Sequence, residues 1–199
     1  DHLAIGNFNE IVDPISYEPS PPYGPIVRVS PSDGYWAAKR LMAIPTQMIE
    51  AAVDAACFGD IWVRNELIRR LDRRRRTLAM YWYQQVTPCE VTSVREGVIH
   101  LRDQAVSDGI SPAAGTHYRV EIVDSEGRPL TAPRELLLTS EQLSQPLPAS
   151  LIGDHKYVVL RLTAERNGKL SPLACDVHVA IDEDGVARRV IGLQHGEGR

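Results

Sequence analysis

The sequence predicts an α+β protein, in which an N-terminal proline-rich arm and a three-helix segment precede a two-sheet β-sandwich. Three observations support this fold class. Prolines crowd residues 13–29, amphipathic periodicity fills residues 30–88, and short alternating apolar runs with turn signals fill residues 89–199. We therefore predict three regions: an extended arm over residues 1–29, a helical segment over 30–88 and a β-sandwich domain over 89–199.

The arm contains too many prolines, with too many missing amide donors, for a helix or a central strand. Tyr17, Tyr23 and Ile26 alternate with these prolines. We expect the three side chains to dock on apolar surface near Trp36, because proline pre-orders the chain and tyrosine contributes large area at small entropy cost. A free linker is the alternative that the composition leaves open.

The helical segment contains three predicted helices, over residues 30–43, 45–56 and 61–86. Ser30 is the predicted cap of the first helix, and Pro88 lies beyond the end of the third. Turn residues separate them, so the segment should fold as a set of short-linked helices.

The third helix places its apolar side chains on one stripe at 100° per residue. The stripe contains Ile61, Leu67, Ile68, Leu71, Leu78, Ala79, Trp82 and Val86. Arg64 and Arg75 also project into it, so each is predicted to be a buried charge with a partner. The candidate partners of Arg75 are Asp33, Glu50 and Asp54 on the preceding helices.

The run Arg73–Arg76 is the strongest charge feature of the chain. Phosphate binding is one interpretation, but the formal net charge of −4 gives no general attraction to nucleic acid. We therefore expect no nucleic-acid partner. Arg73, Arg74 and Arg76, with Trp36 and the arm tyrosines, are instead the predicted contacts with carboxylates and surfaces of this chain or of a protein partner.

Seven strands are predicted after Pro88, near residues 90–95, 98–102, 117–124, 134–139, 156–165, 173–181 and 187–194. About seven short strands in this length are typical of a sandwich of immunoglobulin or fibronectin III type. The approach from Leu151 to Tyr157 is similar to the tyrosine corner of such sandwiches. The acidic turn Asp182–Gly185 is interpreted as a hairpin turn, with a calcium loop as the alternative.

The polar residues form no recognisable catalytic, cofactor or metal motif. The histidines at 2, 100, 117, 155, 178 and 195 lack metal-ligand spacing, and the sequence contains no GxSxG, Walker or GxGxxG motif. We therefore predict no catalytic residue, metal ligand or cofactor-binding residue. The alternative is a small hydrolase or transferase whose site assembles around His117, His155 or His178.

The three cysteines are too few and too scattered for a CxxC motif. Cys57, near a helix end, is interpreted as a small core residue. Cys89 and Cys175 both lie in the β-rich region, where a single disulfide and two free buried thiols are both open.

No apolar run approaches the roughly 18–20 residues of a membrane-spanning helix, so no membrane span is predicted. The chain begins at Asp1 with neither an initiator methionine nor a signal peptide. This start predicts a processed product or a fragment of a longer protein.

Residues 12–88 carry a resemblance to a known family. The matching features are a Pro-rich arm from Asp13 to Pro25, the Tyr35–Ala43 stretch, Phe58–Asp60 and the arginine-rich helix that ends at Tyr81-Trp82. They resemble the C-terminal region of large exported bacterial proteins of uncharacterised function, whose upstream part is kinase-like. This chain departs from the pattern at Pro45-Thr46, Phe58-Gly59 and Arg76-Thr77.

The kinase-like Asn-His-Asp-Asp and Asp-Phe-Gly stretches of that family do not occur here, so the resemblance transfers no catalytic residue. It implies the C-terminal accessory part of a kinase-like protein, or a free-standing relative that lacks the catalytic core. Because the sequence also contains no convergent set of catalytic residues, we predict a non-catalytic protein-interaction or accessory module. Such a module would be a subunit or C-terminal part of a larger extracytoplasmic assembly, periplasmic or secreted.

Overall fold

The computed structural model describes residues 13–16, 24, 28–147 and 155–196. Helices and antiparallel sheets are both present, which confirms the α+β class. The chain divides into two compact units, Asp1–Trp82 and Tyr83–Arg199, which we call the helical unit and the β unit. Tyr17, Tyr23 and Ile26 lie outside the described residues, so the docking of the arm stays a prediction.

The helical region contains α1 (Pro31–Met42), α2 (Thr46–Ala55) and α3 (Ile61–Tyr83). A capping box begins α1, in which Ser30 Oγ accepts from the Asp33 amide and the Asp33 carboxylate accepts from the Ser30 amide. The three predicted helices are thus confirmed.

The third helix ends at Tyr83, whereas we predicted an end at Val86. The cause is Thr87, whose backbone amide donates to the Leu173 carbonyl at 2.8 Å. Its hydroxyl accepts from the Ala164 amide at 3.1 Å. These two hydrogen bonds fix the position of Thr87 within the β unit, so the residues after Tyr83 cannot continue the helix. Val86 is buried beyond the end of α3.

The predicted apolar stripe of α3 is wrong at its N-terminal end. Ile61 is 67% exposed, and Val63 is the side chain that is buried in this first turn. Further along the helix Ala79 is buried, and the leucines of the stripe are half-buried. The stripe therefore faces the protein interior only after the first turn of α3.

A close approach between α1 and α3 occurs at Gly34. A β-carbon at this position would overlap the indole ring of Trp82. Gly34 is itself buried within α1. The contact therefore requires glycine, although glycine lowers the intrinsic stability of a helix.

The β unit contains nine strands and one short helix among its described residues. They are β1 (Cys89–Arg95), β2 (Val98–Asp103), α4 (Gln104–Ser107), β3 (Thr116–Val123), β4 (Arg134–Leu137), β5 (Gln142–Pro146), β6 (Tyr157–Arg166), β7 (Lys169–Leu170), β8 (Cys175–Ile181) and β9 (Ala187–His195). The seven predicted strands are present, and the prediction missed β5, β7 and α4. The alternation of apolar and polar residues does not reveal β5, because its five residues are mostly polar and the last is proline.

All strand pairs are antiparallel, and they form two sheets. The smaller sheet has the order β1-β2-β5, and the larger has the order β4-β3-β6-β8-β9 with β7 paired to β6. Both sheets contribute inward-facing side chains to one hydrophobic core, such as Leu101 from the smaller sheet and Leu160 from the larger. Two sheets that share a core are the coarse arrangement that the sequence predicted.

Tight turns join the hairpins where the sequence predicted them. Glu96-Gly97 lies between β1 and β2 with φ of 50° and 74°. Such positive values suit a two-residue hairpin turn. The acidic turn between β8 and β9 is likewise a hairpin turn, in which Asp182 Oδ1 accepts from the Val186 amide at 2.8 Å.

Within the described part of the chain, no helix combines the length and apolar character that a membrane span requires.

Candidate functional site

A groove of about 760 Å³ lies on the outer face of the larger sheet. Its floor is formed by β6 and β8, and one wall is the turn that follows β3. Because successive side chains of a strand point to opposite faces, Leu160 and Leu162 enter the core while Arg161 and Thr163 face the groove. The alternation of β6 thus builds the core and the groove together.

The groove floor carries an ion pair between Arg161 and Asp176, which are cross-strand neighbours. Arg161 Nε donates to Asp176 Oδ1 at 2.9 Å, and Nη2 donates to Oδ2 at 2.8 Å. Hydrogen bonding to Asp176 raises the pKa of the Arg161 guanidinium. The two side chains remain 41% and 18% exposed, so the pair is fixed in geometry but accessible from the groove.

Beside this pair, Tyr157 and His178 hold each other in place. The Tyr157 hydroxyl is hydrogen-bonded to His178 Nδ1, and the ring centroids are 5.9 Å apart with an interplanar angle of 25°. The two rings are nearly parallel and lie together at one side of the groove, and we call this pair the Tyr157–His178 platform.

The groove wall is stiffened by Asp124, whose side chain is only 4% exposed. Its carboxylate accepts from the amides of Glu126 and Arg128 at 2.8 and 2.9 Å and from Arg128 Nε at 2.7 Å. The Arg128 backbone amide is the main cause of the lowered pKa of Asp124. Arg128 also pairs with Glu126 at 3.0 Å, so this wall is a compact, ion-paired turn.

A second polar cluster lies inside the β unit. Asp103 is fully buried and accepts from the Tyr118 hydroxyl at 2.6 Å, from the Val106 amide at 3.0 Å and from Arg166 Nη2. Burial is the main cause of the raised pKa of Tyr118. Arg166 lines a separate pocket of about 290 Å³. The network satisfies a carboxylate that would otherwise be costly inside the core.

Cys89 and Cys175 approach each other beside this cluster. Both are fully buried and neither forms a disulfide, and Cys175 Sγ donates to the Cys89 carbonyl oxygen at 3.6 Å. Burial is the first cause that raises the pKa of the Cys89 thiol. Cys57 is also free, but it is exposed, so its interpretation as a core residue is wrong.

The predicted need of Arg75 for a partner is met, but by different groups than we expected. Its side chain is 10% exposed and donates to Asp72 Oδ1 at 2.6 and 2.9 Å. It also donates to the Ile44 carbonyl and to Thr46 Oγ1. Asp72 lies one helical turn away on α3 itself, so no carboxylate from the preceding helices is required.

Arg64 pairs with Asp54 of α2, and its Nη2 donates to Asp54 Oδ2 at 2.9 Å. Its side chain is 28% exposed, so Arg64 is a half-buried charge and not the buried one we predicted. The bond with Arg64 is the main cause of the lowered pKa of Asp54.

The predicted contact residues Trp36, Arg73, Arg74 and Arg76 lie on the helical unit. Trp36 is 57% exposed, and the Arg40 guanidinium lies 5.5 Å from its ring centroid. Arg73 and Arg76 are exposed, and Arg74 is half-buried. Arg76 Nε pairs with Asp72 at 3.2 Å, so this arginine meets a carboxylate of its own helix.

The three histidines of the alternative enzyme site do not form one cluster. His117 pairs in register with Glu165 of β6, whereas His178 pairs with Val159. These β6 residues are six positions apart, which corresponds to about 20 Å along a strand. Only His178 lines the groove, where Tyr157 is within hydrogen-bond reach.

Sequence reasoning missed Tyr157, Arg161 and Asp176 as site residues. The signal available in the sequence was the alternation along β6 and β8, in which polar residues such as Arg161 and Asp176 stand between apolar ones. That signal places a side chain on the outer face, but only the register shows that Arg161 lies opposite Asp176.

Across residues 28–147 and 155–196, no three histidine, cysteine or acidic side chains are grouped as metal ligands. The chain matches no protein-family model, and no curated protein or solved structure is significantly similar to it.

Proposed function

We propose that this chain is a non-catalytic accessory module of a larger extracytoplasmic assembly. Its helical unit contacts a protein partner, and its β unit presents the groove to a ligand. The finer fold that we propose for the β unit is an immunoglobulin or fibronectin III-like sandwich, supported by two antiparallel sheets around one core. An experimental structure that gave a different strand topology would refute this assignment.

The observation that carries the proposal is the apolar surface of the helical unit. Among its described residues, the buried hydrophobic side chains are Tyr35, Ala38, Val53, Val63 and Ala79. The exposed large ones include Met48 at 60%, Ile61 at 67%, Trp62 at 47% and Met80 at 50%. A unit that exposes more large apolar side chains than it buries has apolar area that contact with another molecule would remove from water.

Partner capture from periplasmic or secreted fractions of the organism that produces this chain tests the proposal, with the tagged chain as bait. We expect one protein to be retained at stoichiometric yield by the wild-type chain and lost with the variant Ile61→Ser. The matched control is Leu137→Ser on β4, because Leu137 is 61% exposed but lies in the β unit. Equal capture by all three baits would refute a contact through the helical unit.

The larger assembly is also proposed to include residues upstream of Asp1 in the same polypeptide, as the family resemblance implies. Intact-mass analysis of the natural protein tests this part. A natural chain that starts at Asp1 and stays monomeric without partners would refute the accessory function.

A second candidate is the small hydrolase or transferase. The specific observation in its favour is His178, which lies in the groove with the Tyr157 hydroxyl bonded to Nδ1. A histidine held in place by a hydrogen bond from a second side chain is an arrangement that general acid–base catalysis can use. Turnover of chromogenic ester or glycoside substrates that is lost in His178→Gln and retained in His117→Gln would establish this candidate.

A further inference from the structure

Each of the four charged side chains that line the groove already has a counterion, although Arg128, which serves two of them, does not itself line the groove. Arg161 and Asp176 form a bidentate pair, and Asp124 and Glu126 share Arg128. A strongly charged ligand would have to break one of these pairs and leave a charge without its counterion. The groove electrostatics therefore favour a ligand that is polar but carries no net charge.

The floor strands cannot bind an extended peptide by strand addition. β6 is hydrogen-bonded to β3 and β8, and β8 is hydrogen-bonded to β6 and β9. Peptide recognition by strand addition requires the free backbone groups of a sheet edge. A ligand in the groove must therefore bind through side chains.

Those side chains present hydrogen-bond donors and acceptors next to each other. The Arg161 guanidinium lies beside the Asp176 carboxylate, while the Thr163 hydroxyl and the Gln194 amide also line the groove. Hydroxyl groups both donate and accept, so two neighbouring hydroxyls of a ligand can bind an arginine-carboxylate pair without breaking it.

The Tyr157–His178 platform supplies the complementary apolar contact. Sugar rings have faces of C–H groups that can pack on a flat ring, while their hydroxyls point outward from the rim. The hydrogen bond between the two side chains fixes the orientation of the platform, so little rotamer entropy is lost on binding. The groove volume of about 760 Å³ lies in the range of roughly 300–1,000 Å³ that is usual for ligand clefts.

We propose that the groove binds a short neutral oligosaccharide, which stacks on Tyr157 and His178 and hydrogen-bonds to Arg161 and Asp176. This inference rests on the proposed function, in which the β unit presents a ligand-binding face. It adds the chemical class of the ligand and the residues that recognise it.

Isothermal titration calorimetry with cellohexaose, xylohexaose, mannohexaose and chitohexaose tests the proposal on the full chain. We expect at least one to bind at millimolar concentration or below. Tyr157→Ala should weaken its binding about tenfold or more, because stacking on an aromatic anchor is lost. Tyr157→Phe should retain most of the affinity because it keeps the ring.

The matched control is Arg119→Ala. Arg119 lies on β3 of the same sheet and pairs with Glu121 at 3.0 Å, but it does not line the groove. The Arg119→Ala variant should bind the oligosaccharide with the same affinity as the wild type. Circular dichroism of each variant separates lost binding from lost folding, and binding should change little with added salt because the ligand is neutral.

Three results would overturn the saccharide proposal. The first is no binding of any of the four probes, and the second is equal binding by wild type and folded Tyr157→Ala. The third is a binding constant that falls steeply with salt. If partner capture through Ile61 persists in any of these cases, the proposed accessory function stands without the saccharide. If the bound oligosaccharide is instead cleaved, as mass spectrometry would detect, the non-catalytic function fails while saccharide recognition stands.

Discussion

The two units differ in how they use their apolar side chains. The described part of the β unit buries most of its large hydrophobic residues, and its exposed ones are limited to Leu137, Leu170, Val186 and Ile191. The described part of the helical unit exposes Ile15, Val29, Trp36, Met48, Phe58, Ile61, Trp62 and Met80. The β unit therefore has a self-contained core, whereas the helical unit has apolar surface available for another molecule.

The charged groups of the two units differ in how deeply they are buried. The β unit contains a fully buried carboxylate, Asp103, that is held by a hydrogen-bonded network. The helical unit pairs its arginines with carboxylates at its surface, as Glu66 does with Arg69 and Arg70. Removing the buried Asp103 should consequently cost more stability than removing an exposed, paired charge of the helical unit.

The largest expected effect is that of Asp103→Ala. It leaves Tyr118 and Arg166 without their common acceptor, so the free energy of unfolding of the β unit should fall by about 3–5 kcal/mol. Urea denaturation followed by tyrosine and tryptophan fluorescence measures this change. The control is Asp176→Ala, whose accessible pair with Arg161 should contribute about 0–1 kcal/mol. Similar small losses in both variants would show that the buried Asp103 network contributes no more stability than an accessible ion pair of the same unit.

In the helical unit, Arg75→Ala should lower the free energy of unfolding by about 2 kcal/mol, less than the roughly 3–5 kcal/mol of a fully buried pair, because Asp72 is 31% exposed. The reason is that Asp72, the Ile44 carbonyl and Thr46 all lose a donor. Arg76→Ala is a matched control, because Arg76 pairs with the same Asp72 but is 48% exposed. Its expected effect is about 0–0.5 kcal/mol. Chemical denaturation followed by far-UV circular dichroism measures both changes in the free energy of unfolding. Equal effects of Arg75→Ala and Arg76→Ala would show that the Arg75 side chain is solvent-exposed.

Thiol titration with a chromogenic disulfide reagent separates the cysteines of the two units. Cys57 should react at once in the native protein because it is exposed. Cys89 and Cys175 should react only after unfolding, because both are buried and the pKa of the Cys89 thiol is raised. Rapid reaction of all three would contradict the buried pair. If Cys57 were the only thiol that reacts even after unfolding, Cys89 and Cys175 would have formed a disulfide.

The smallest expected effect concerns Glu66, whose pKa is lowered from 4.5 to about 2 by hydrogen bonds from Arg69 and Arg70. A lowered carboxyl pKa stabilises the folded state fully above pH 4.5, and this contribution disappears as the pH falls through about 2. The difference in melting temperature between wild type and Glu66→Gln should therefore shrink over that interval. A difference that stayed constant down to about pH 2 would contradict the ion pair.

Local signals in the sequence were sufficient for most of the fold. The α1 cap needs only Ser30 and Asp33, and the turn at Glu96-Gly97 needs only residues that tolerate positive φ. The strand β5 was missed because polar residues and Pro146 hide it, and it forms by pairing with β2. Its existence therefore depends on a partner that the local sequence does not specify.

The groove was less predictable than the fold, because it depends on register. Arg161 and Asp176 are fifteen positions apart in the chain, and a shift of one residue between β6 and β8 would place one of them in the core. The partner of Arg75 was misassigned for a related reason. A helical wheel gives the direction of a side chain but does not weigh a local carboxylate such as Asp72 against more distant ones.

The contact between Gly34 and Trp82 has a consequence for genetics. Because the indole occupies the space that any side chain at position 34 would need, even Gly34→Ala acts as a wedge between α1 and α3. The groove residues Tyr157, Arg161 and Asp176 belong to the β unit, which has its own core. A Gly34→Ala allele is thus a means to separate two phenotypes in the living cell, one that depends on the helices and one that depends on the sheet.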